Sequence, residues 1–371
     1  MTDLCKTNRS VCYQTCLEAQ GLSEFKVPEK TLSFLQKITK RHLGDIHNDN
    51  IRAVSVPNAW SNFTSYLKTK WYRFLLNCIA WRHKKTIPFY RSTNTVKSFW
   101  IGSPEPSTVP GNVQIMLYIH GGSGISGSTA LYRPILQTLY ALKSKEPALS
   151  KLHIMSIDYR LAPEHPFPAG LRDTVNTFLW LTRRYPQAPI YLVGDSMGGN
   201  LALGTLLYLS KNRYTKLPAK IIALSPPVDF TPFLLSQNVV QTSTDWIHPN
   251  AENAVQTGYH YFGSKRFYGK TRTSKEYLKE LLKWCSHPYV SVARADWSTD
   301  SHLKEIPILL QVGSSEVLYD TLVAFVQHLR SSGFSNIQLT TYKDMFHDFQ
   351  LFGLEPSCRA LSSLIHFLTL R

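Results

Sequence analysis

Near its middle the chain reads Ile190-Tyr191-Leu192-Val193-Gly194-Asp195-Ser196-Met197-Gly198-Gly199-Asn200, an apolar run followed by a glycine-rich turn. The pattern Gly-x-Ser-x-Gly between a predicted strand and a predicted helix is typical of a turn that exposes a nucleophilic serine. A serine hydroxyl is a weak nucleophile, so it has to project from a sharp turn towards a base. Gly194 and Gly198 flank Ser196 at positions where such a turn leaves no room for a Cβ atom. The pentapeptide alone leaves open a second interpretation, an ordinary strand-to-helix turn rich in small residues.

A second glycine-rich loop lies upstream, directly after another apolar run. Residues 113–119 predict a buried strand, which continues into His120-Gly121-Gly122-Ser123-Gly124. Glycines let backbone N–H groups approach a bound group closely, and the oxyanion that develops in acyl transfer needs such donors. We therefore expect this loop to lie beside Ser196.

The same loop also fits a nucleotide-binding pattern. Residues 122–127 read Gly-x-Gly-x-x-Gly, the fingerprint of a dinucleotide-binding turn. That fingerprint requires an acidic residue about 20 positions further on, at the end of the next strand. The next predicted strand, residues 152–157, ends at Asp158, well beyond that distance. The spacing therefore disfavours a dinucleotide site.

A third motif lies between the two loops and indicates the family that the chain resembles. Residues 158–169 read Asp-Tyr-Arg-Leu-Ala-Pro-Glu-His-Pro-Phe-Pro-Ala. With the two glycine-rich motifs in the same order, the chain resembles the hormone-sensitive-lipase branch of the α/β-hydrolase fold over about residues 90 to 370. The resemblance implies an α/β fold with a mostly parallel central sheet, flanking helices and a helical cap. It also implies an esterase or lipase activity that needs no metal ion and no organic cofactor.

The resemblance gives both loops a role. It implies that the N–H groups of Gly121, Gly122 and Met197 bind the oxyanion. Four further motif residues are expected to support the loops: His120, Gly194, Asp195 and Gly198. Two positions depart from the family pattern, because Ser123 replaces the third glycine of His-Gly-Gly-Gly and Met197 replaces an alanine. Neither change removes an expected donor, but Met197 adds bulk beside the nucleophile and is expected to narrow the acyl pocket.

The acid of a serine hydrolase with this fold follows a late strand, and the histidine follows the last one. The apolar run 306–312 leads to residues 313–320, where the family pattern is Gly-x-x-Asp-x-Leu-x-Asp. The resemblance therefore implies Glu316 as the acid, since glutamate can orient an imidazole and stabilise its protonated form. Asp320 is the alternative acid. Either carboxylate could instead be an ordinary solvated residue in the first turn of a helix.

The base is expected after the last predicted strand, residues 337–342. His347-Asp348-Phe349 follows that strand in the family's His-x-Phe context. The chain has 13 histidines, and a single histidine is more often structural or exposed than catalytic. Its place in the chain order favours His347, whereas His165 and His302 lie at the wrong points in that order.

Elsewhere, apolar runs alternate with segments whose apolar residues have helical spacing. Helices are predicted at residues 132–143, 171–183, 200–210, 318–330 and 357–370, and a further strand at residues 219–226. This alternation predicts a parallel sheet covered on both faces.

Two regions do not follow the alternation. Residues 1–85 are interpreted as an N-terminal cap or membrane-facing region. Residues 227–304 are interpreted as a cap insertion in a catalytic domain that spans residues 86–371. The insertion is rich in aromatic residues, which suits a hydrophobic substrate group, with ordinary core packing as the alternative.

Composition and charge limit the partners of the chain. The 371 residues are 43% hydrophobic and 18% charged, which indicates a globular protein. The net charge of +16 is dispersed and no nucleic-acid module is visible, so nucleic acid is not an expected partner.

Residues 71–81 are too short and too polar to span a bilayer. Because residues 82–85, Arg-His-Lys-Lys, follow them, we expect peripheral contact with an anionic membrane, with a solvated basic face as the alternative.

Cysteine use and the first residues bear on the compartment. The six cysteines form neither a Cys-x-x-Cys pair nor a zinc pattern with histidine, so free thiols are expected. The polar opening Met1-Thr2-Asp3-Leu4 resembles no cleavable signal peptide. We therefore expect a cytoplasmic protein, peripheral on an intracellular membrane such as the endoplasmic reticulum.

These observations together predict a serine carboxylic-ester hydrolase that acts on a lipophilic small-molecule ester through an acyl-enzyme. Fungal carboxylesterases and sterol-acetate hydrolases belong to the family that the chain resembles, so sterol-acetate deacetylation is the specific activity considered. A catalytically silent ligand-binding homologue is one alternative, against which the presence of Glu316 and His347 argues. An acyltransferase that uses the same residues is the other.

Overall fold

An eight-stranded sheet forms the centre of the described part of the protein. The computed structural model describes residues 87–108, 113–232, 245, 251–270, 274–298 and 301–370. The strands are β1 (Phe89–Arg91), β2 (Ser98–Ile101), β3 (Gln114–Ile119), β4 (Leu152–Ile157), β5 (Ile190–Asp195), β6 (Lys220–Leu224), β7 (Ile308–Gly313) and β8 (Ile337–Tyr342). Their order is β1-β2-β4-β3-β5-β6-β7-β8. Only the pairs β1–β2 and β2–β4 are antiparallel, so the mostly parallel sheet predicted from the sequence is confirmed.

Helices cover both faces of this sheet. The α-helices in the described residues are α1 (Arg133–Ser144), α2 (Ala169–Arg184), α3 (Met197–Lys211), α4 (Ala251–Phe262), α5 (Lys275–Cys285), α6 (Ser301–Glu305), α7 (Tyr319–Ser331) and α8 (Glu355–Thr369). Helices α1 and α8 pack on one face with Met116 and Tyr118 of β3. Helices α2, α3 and α7 pack on the other face with Ile115 and Leu117. Successive residues of β3 therefore enter opposite layers, as the two-residue period of a strand requires.

The topology brings the two glycine-rich loops together. β3 leads through α1 to β4 on one side, and β4 leads through α2 to β5 on the other side of β3. A crevice forms outside the carboxyl ends of parallel strands where the winding reverses in this way. The loop after β3 and the turn after β5 both lie at that reversal, which is where a ligand site is expected.

Two features differ from the sequence prediction. The helix expected at residues 200–210 begins at Met197, immediately after Ser196. The first turn of this helix was hard to recognise in the sequence because glycine disfavours helices. The glycines are nevertheless required by packing, since a Cβ on Gly199 would lie 3.0 Å from the Cβ of Ala223. Strands β1 and β2 have no counterpart in the prediction, because three and four residues are too few to show an alternating pattern.

The region interpreted as a cap is described in part. Between β6 and β7 the described residues form α4, α5, α6 and two short 3₁₀ turns, Ser264–Phe267 and Val292–Arg294, and contain no strand. Residues 1–85 lie outside the described residues. The division into a catalytic domain and a two-part cap therefore stays a proposal.

Candidate active site

Ser196 lies in a sharp turn between β5 and α3. Its backbone has φ 46° and ψ −121°, a conformation that is unusual for a residue with a side chain. The N–H of Ser196 donates to the carbonyl of Leu224, at the end of the neighbouring strand β6, at 2.8 Å. A Cβ on Gly194 would come within 2.4 Å of the carbonyl carbon of Gly198, and one on Gly198 within 1.9 Å of the carbonyl oxygen of Ile119. The turn therefore needs both glycines.

Two side chains from distant parts of the chain meet Ser196. Nε2 of His347, in the loop after β8, lies 3.0 Å from Oγ of Ser196. Nδ1 of the same ring lies 3.2 Å from Oε2 of Glu316, in the loop after β7. His347 and Glu316 are buried, whereas His165 and His302 are exposed. A hydroxyl, an imidazole and a carboxylate thus form one continuous chain of hydrogen bonds.

Glu316, and not Asp320, is the carboxylate that reaches His347. Oε1 of Glu316 accepts hydrogen bonds from Oγ of Ser225 at 2.7 Å and from the N–H of Gly313 at 2.6 Å. Burial raises the pKa of Glu316 to about 6, although His347 and these two donors favour its charged form. Asp320 lies exposed in the first turn of α7.

The loop after β3 differs from the expectation at Gly121. The N–H of Gly121 was expected to bind the oxyanion, but it donates to Oδ2 of Asp195 at 3.1 Å. Within the described residues the N–H of Gly122 donates to no carbonyl or side chain. Met197 is the first residue of α3, and first-turn N–H groups have no partner inside their own helix. Gly122 and Met197 are therefore the available donors among the three expected.

Asp195 is a buried carboxylate that joins the two glycine-rich loops. Its Oδ1 accepts a hydrogen bond from the hydroxyl of Tyr118 at 2.6 Å, while Oδ2 holds Gly121. Burial raises the pKa of Asp195 well above its usual range, and the carboxylate of Asp348 adds to that effect. The hydroxyls of Tyr118 and Tyr132 act in the opposite direction. Asp195 thus links the turn of Ser196 to the loop after β3 through hydrogen bonds.

His120 is a buried structural ring. It stacks against Tyr132 and Tyr159, with ring centroids 5.5 Å and 4.4 Å away. Nδ1 of His120 lies 2.8 Å from the carbonyl oxygen of Gly121, so Nδ1 carries the proton and donates it. Burial lowers the pKa of His120, which keeps the ring neutral.

The motif at residues 158–169 supports the same loop from its other side. The hydroxyl of Tyr159 donates to the carbonyl of His120 at 2.9 Å. The N–H of Phe167 donates to the carbonyl of Tyr261, at the end of α4, at 2.7 Å. This motif therefore connects the glycine-rich loop with the helices between β6 and β7.

A carboxylate that the sequence analysis did not single out lies beside His347. Oδ2 of Asp348 is 3.2 Å from Nε2 of His347, on the same nitrogen that faces Ser196. Asp348 is buried and has a left-handed backbone with φ 54°. Burial lowers the pKa of His347, but the carboxylates of Asp348 and Glu316 outweigh burial and raise it well above its usual range. The variable position of His-x-Phe gave no signal for this role.

Asp245 was also missed by the sequence analysis. Its Oδ2 accepts a hydrogen bond from the N–H of Val317 at 2.9 Å, and its Oδ1 accepts one from the N–H of His347 at 3.1 Å. Asp245 is 2% exposed. One buried carboxylate therefore fixes the loop of Glu316 relative to the loop of His347. It lies in a region without periodic pattern, so no sequence signal marks it.

The described residues also bear on metals, thiols and membrane spans. Within them, no group of three or more His, Cys, Asp or Glu side chains is arranged to hold a metal ion. Cys285 and Cys358, the cysteines of the described residues, are buried free thiols. None of the helices in that part of the chain is both long and apolar enough to cross a membrane.

The fold and the site geometry agree with a known family. Residues 116–351 match the family described as alpha/beta hydrolase fold, and the chain therefore belongs to that family. The crystal structure of an esterase from the bacterial hormone-sensitive lipase family superposes with a TM-score of 0.63 at 25% identity. That match covers 93% of this chain and 98% of the esterase. The family resemblance drawn from the sequence motifs is thereby confirmed.

Two relatives are similar to parts of this chain. Versiconal hemiacetal acetate esterase of Aspergillus parasiticus is 32% identical over 127 residues, which are 34% of this chain and 38% of that enzyme. An esterase of Acinetobacter venetianus is 26% identical over 259 residues, 69% of this chain and 75% of the esterase. The first match thus spans well under two thirds of its relative. Within its family the chain is thus similar to esterases.

Proposed function

We propose that this protein hydrolyses a lipophilic carboxylic ester through an acyl-enzyme, with Ser196, His347 and Glu316 as the catalytic triad. One observation carries the proposal: Nε2 of His347 lies 3.0 Å from Oγ of Ser196, while Nδ1 faces Glu316 at 3.2 Å. A serine becomes nucleophilic when a base lies within hydrogen-bond reach and a third group orients that base. Both requirements are met by residues that follow the serine, acid, histidine order of this fold.

In the proposed reaction, Oγ of Ser196 attacks the ester carbonyl while Nε2 of His347 accepts the hydroxyl proton. The imidazolium then donates this proton to the leaving alcohol, and an acyl-Ser196 ester remains. Water attacks that ester, His347 accepts a proton from the water, and the carboxylic acid leaves as Ser196 regains its proton. Glu316 keeps the ring in the tautomer with Nδ1–H and stabilises the imidazolium.

The N–H groups of Gly122 and Met197 are proposed to bind the oxyanion of each tetrahedral intermediate. Both follow strand ends at the crevice, and neither is committed to another acceptor within the described residues. Gly121 then has a supporting role, because Asp195 holds its N–H and so fixes the loop on which Gly122 lies.

Bulky side chains around the glycine-rich loop after β3 favour a short acyl group. A Cβ on Gly124 would come within 2.5 Å of the ring of Tyr261 and 3.7 Å of Cγ of Met197. Tyr261 and Met197 thus both approach Gly124, in the loop after β3, and both present apolar surface. The Aspergillus relative is named for an acetate ester. We therefore propose a short acyl group on a lipophilic alcohol, with a sterol acetate as the specific candidate.

A chain-length series tests this proposal. We would compare p-nitrophenyl esters from acetate to palmitate with wild-type protein and Ser196→Ala. We expect turnover to fall as the acyl chain lengthens, and Ser196→Ala to lose a factor on the order of 10³ or more in kcat because the triad acts as a unit. Wild-type-like turnover in Ser196→Ala would show that Ser196 is not the nucleophile. Highest turnover with the palmitate ester would contradict the short-acyl proposal.

The alcohol side needs a separate measurement. Turnover of a sterol acetate would be compared with turnover of a water-soluble acetate ester at equal concentration in detergent. A preference for the sterol ester supports the lipophilic alcohol, and a preference for the soluble ester argues against it.

Two other functions give different outcomes in the same assays. A silent binding homologue would hydrolyse none of the esters, and a fluorophosphonate probe would not label Ser196. An acyltransferase would pass the acyl group to added alcohols, so the transferred ester would accumulate at the expense of free acid.

Peripheral contact with an anionic membrane also remains a proposal. The residues on which it was predicted, 71–85, lie outside the described residues. In the turn between α4 and α5, however, Tyr268 is 91% exposed and lies between Lys265 and Lys270. An exposed aromatic residue among lysines suits the interface of an anionic bilayer. Sedimentation with phosphatidylserine vesicles, but not with phosphatidylcholine vesicles, is expected, and equal sedimentation with both would contradict the proposal.

A further inference from the structure

We propose that Asp348 is a positioning residue that holds His347 in a protonated resting form, so that the reaction at Ser196 is switched on as the pH rises. This inference rests on the proposed function and adds a regulation of the same site. Asp348 acts through His347 and is not assigned a contact with the substrate.

The geometry of the His347 ring carries the proposal. Nδ1 faces Oε2 of Glu316 at 3.2 Å, and Nε2 faces Oδ2 of Asp348 at 3.2 Å. An ionised carboxylate can only accept hydrogen bonds, so both contacts are satisfied together only when both ring nitrogens carry a proton. Nε2 is also 3.0 Å from Oγ of Ser196, and it can accept the serine proton only after losing its own. Asp348 and Ser196 therefore require opposite protonation states of one nitrogen.

The surroundings of Asp348 make the imidazolium its main partner. Asp348 is 4% exposed, and its Oδ1 is buried with no hydrogen-bond partner in the described residues. Its backbone N–H donates to Oγ of Ser225 at 3.4 Å, a hydrogen bond that does not involve the carboxylate. A buried carboxylate is costly unless a cation or several donors pair with it. Within the described residues, the group that pairs with Oδ2 of Asp348 is the His347 ring, whose charged form this carboxylate favours.

Other titratable groups surround this pair. Glu316 approaches from the end of β7, Asp195 from the end of β5, and Tyr118 and Tyr132 from β3 and the segment before α1. Asp245 accepts the backbone N–H of His347. Each of these groups remains when Asp348 alone is replaced, so the contribution of Asp348 can be measured against a constant background.

The sign of the effect follows from the protonation states. Burial lowers the pKa of His347, while the carboxylates of Asp348 and Glu316 raise it. Below its raised pKa the ring is an imidazolium and cannot act as a base, so kcat/KM declines on the acid side at a higher pH than for an unperturbed histidine. Removing the charge of Asp348 lowers the pKa of His347 and moves this decline to lower pH.

The test compares pH profiles of Asp348→Asn and wild type. Asparagine has the shape of aspartate and tolerates the left-handed backbone, and Asp348→Gly serves as a second variant because glycine also adopts that backbone. Asp344→Asn is the matched control, since Asp344 lies in the same loop with φ 57° but is exposed. kcat/KM for p-nitrophenyl acetate is measured across the pH range, together with the rate at which a fluorophosphonate labels Ser196.

At a pH where kcat/KM of wild type is about one-tenth of its plateau value, we expect kcat/KM of Asp348→Asn to be at least about three-tenths of that variant's own plateau value. Labelling should shift in the same direction, and Asp344→Asn should follow wild type. Profiles of Asp348→Asn and Asp348→Gly that coincide with wild type, or that only scale down at every pH, would overturn the inference. Labelling of Ser196 without ester turnover would refute the proposed function, and the pH dependence of labelling would then decide whether Asp348 controls the protonation of His347. Absence of both labelling and turnover would overturn the proposed function and this inference together.

Discussion

The turn of Ser196 and the loop of His347 meet within one hydrogen bond, yet they are held in place by different forces. The turn after β5 is fixed by backbone crowding, because a Cβ on Gly198 would lie 1.9 Å from the carbonyl oxygen of Ile119. The loop after β8 is fixed by buried carboxylates. Asp245 holds the backbone of His347, and Glu316 and Asp348 hold its ring. One half of the site is thus steric and the other half electrostatic.

This difference decides how each half responds to substitution. The turn is tightly packed against a strand, a loop and a helix. A single Cβ added at one of its glycines would therefore have to displace these neighbours. The electrostatic half depends on charges that come from three separate segments of the chain. We expect removal of one of those charges to change the position or the protonation of His347.

The strongest way to break the electrostatic half is to remove the charge of Glu316. Glu316→Gln keeps the size of the side chain, but the neutral amide can no longer stabilise the imidazolium, so kcat should fall by a factor on the order of 10² to 10⁴. Steady-state kinetics on p-nitrophenyl acetate measures this. Asp320→Asn is the matched control, since Asp320 is exposed one helical turn away, and its kcat should stay near wild type. The reverse ranking would move the acid to Asp320.

The same contrast explains what the sequence could predict. Ser196, Gly194 and Gly198 form a contiguous motif, because steric requirements act between residues that are close in the chain. The mostly parallel sheet also followed from alternating apolar runs, apart from the two short strands β1 and β2, whereas the order of its strands was seen only in the structure. His347 and Glu316 were identified by chain order and family resemblance together.

The parts that could not be predicted depend on contacts between distant segments. Asp245 reaches His347 across more than a hundred positions, and nothing in its neighbourhood marks it. Asp348 is adjacent to His347, but whether its side chain points to the ring or to solvent depends on a left-handed backbone. The engagement of Gly121 by Asp195 likewise arises from two loops that meet only in the folded sheet.

The steric half can be tested by adding one methyl group. Gly198→Ala places a Cβ against the carbonyl of Ile119, so we expect a loss of about 3 kcal/mol or more in the free energy of unfolding and a displaced Ser196. Gly204→Ala in the same helix is the control, because its Cβ would approach no atom closer than 3.5 Å. That variant should be unchanged or more stable by about 0.5 kcal/mol. Denaturant unfolding measures both, and equal stabilities would show that the turn tolerates a side chain.

The smallest expected effect comes from the residue that fixes the backbone of the electrostatic half. In Asp245→Asn one oxygen still accepts a hydrogen bond, but the new amide N–H₂ faces a backbone N–H of Val317 or His347 and repels it. The two loops should then separate slightly, which lengthens the contact between the base and the nucleophile. We expect kcat to fall by about tenfold, with a much smaller change in KM, because a small misalignment mainly affects the transition state.

Asp320→Asn again serves as the control for loss of one negative charge. Thermal unfolding of Asp245→Asn separates the two possible roles of this carboxylate. A lower Tm with an unchanged kcat would mean that Asp245 stabilises the fold without positioning His347. A lower kcat with a nearly unchanged Tm would show that a single buried charge aligns His347 with Glu316, whereas in the other half of the site the glycines fix the position of Ser196 through shape.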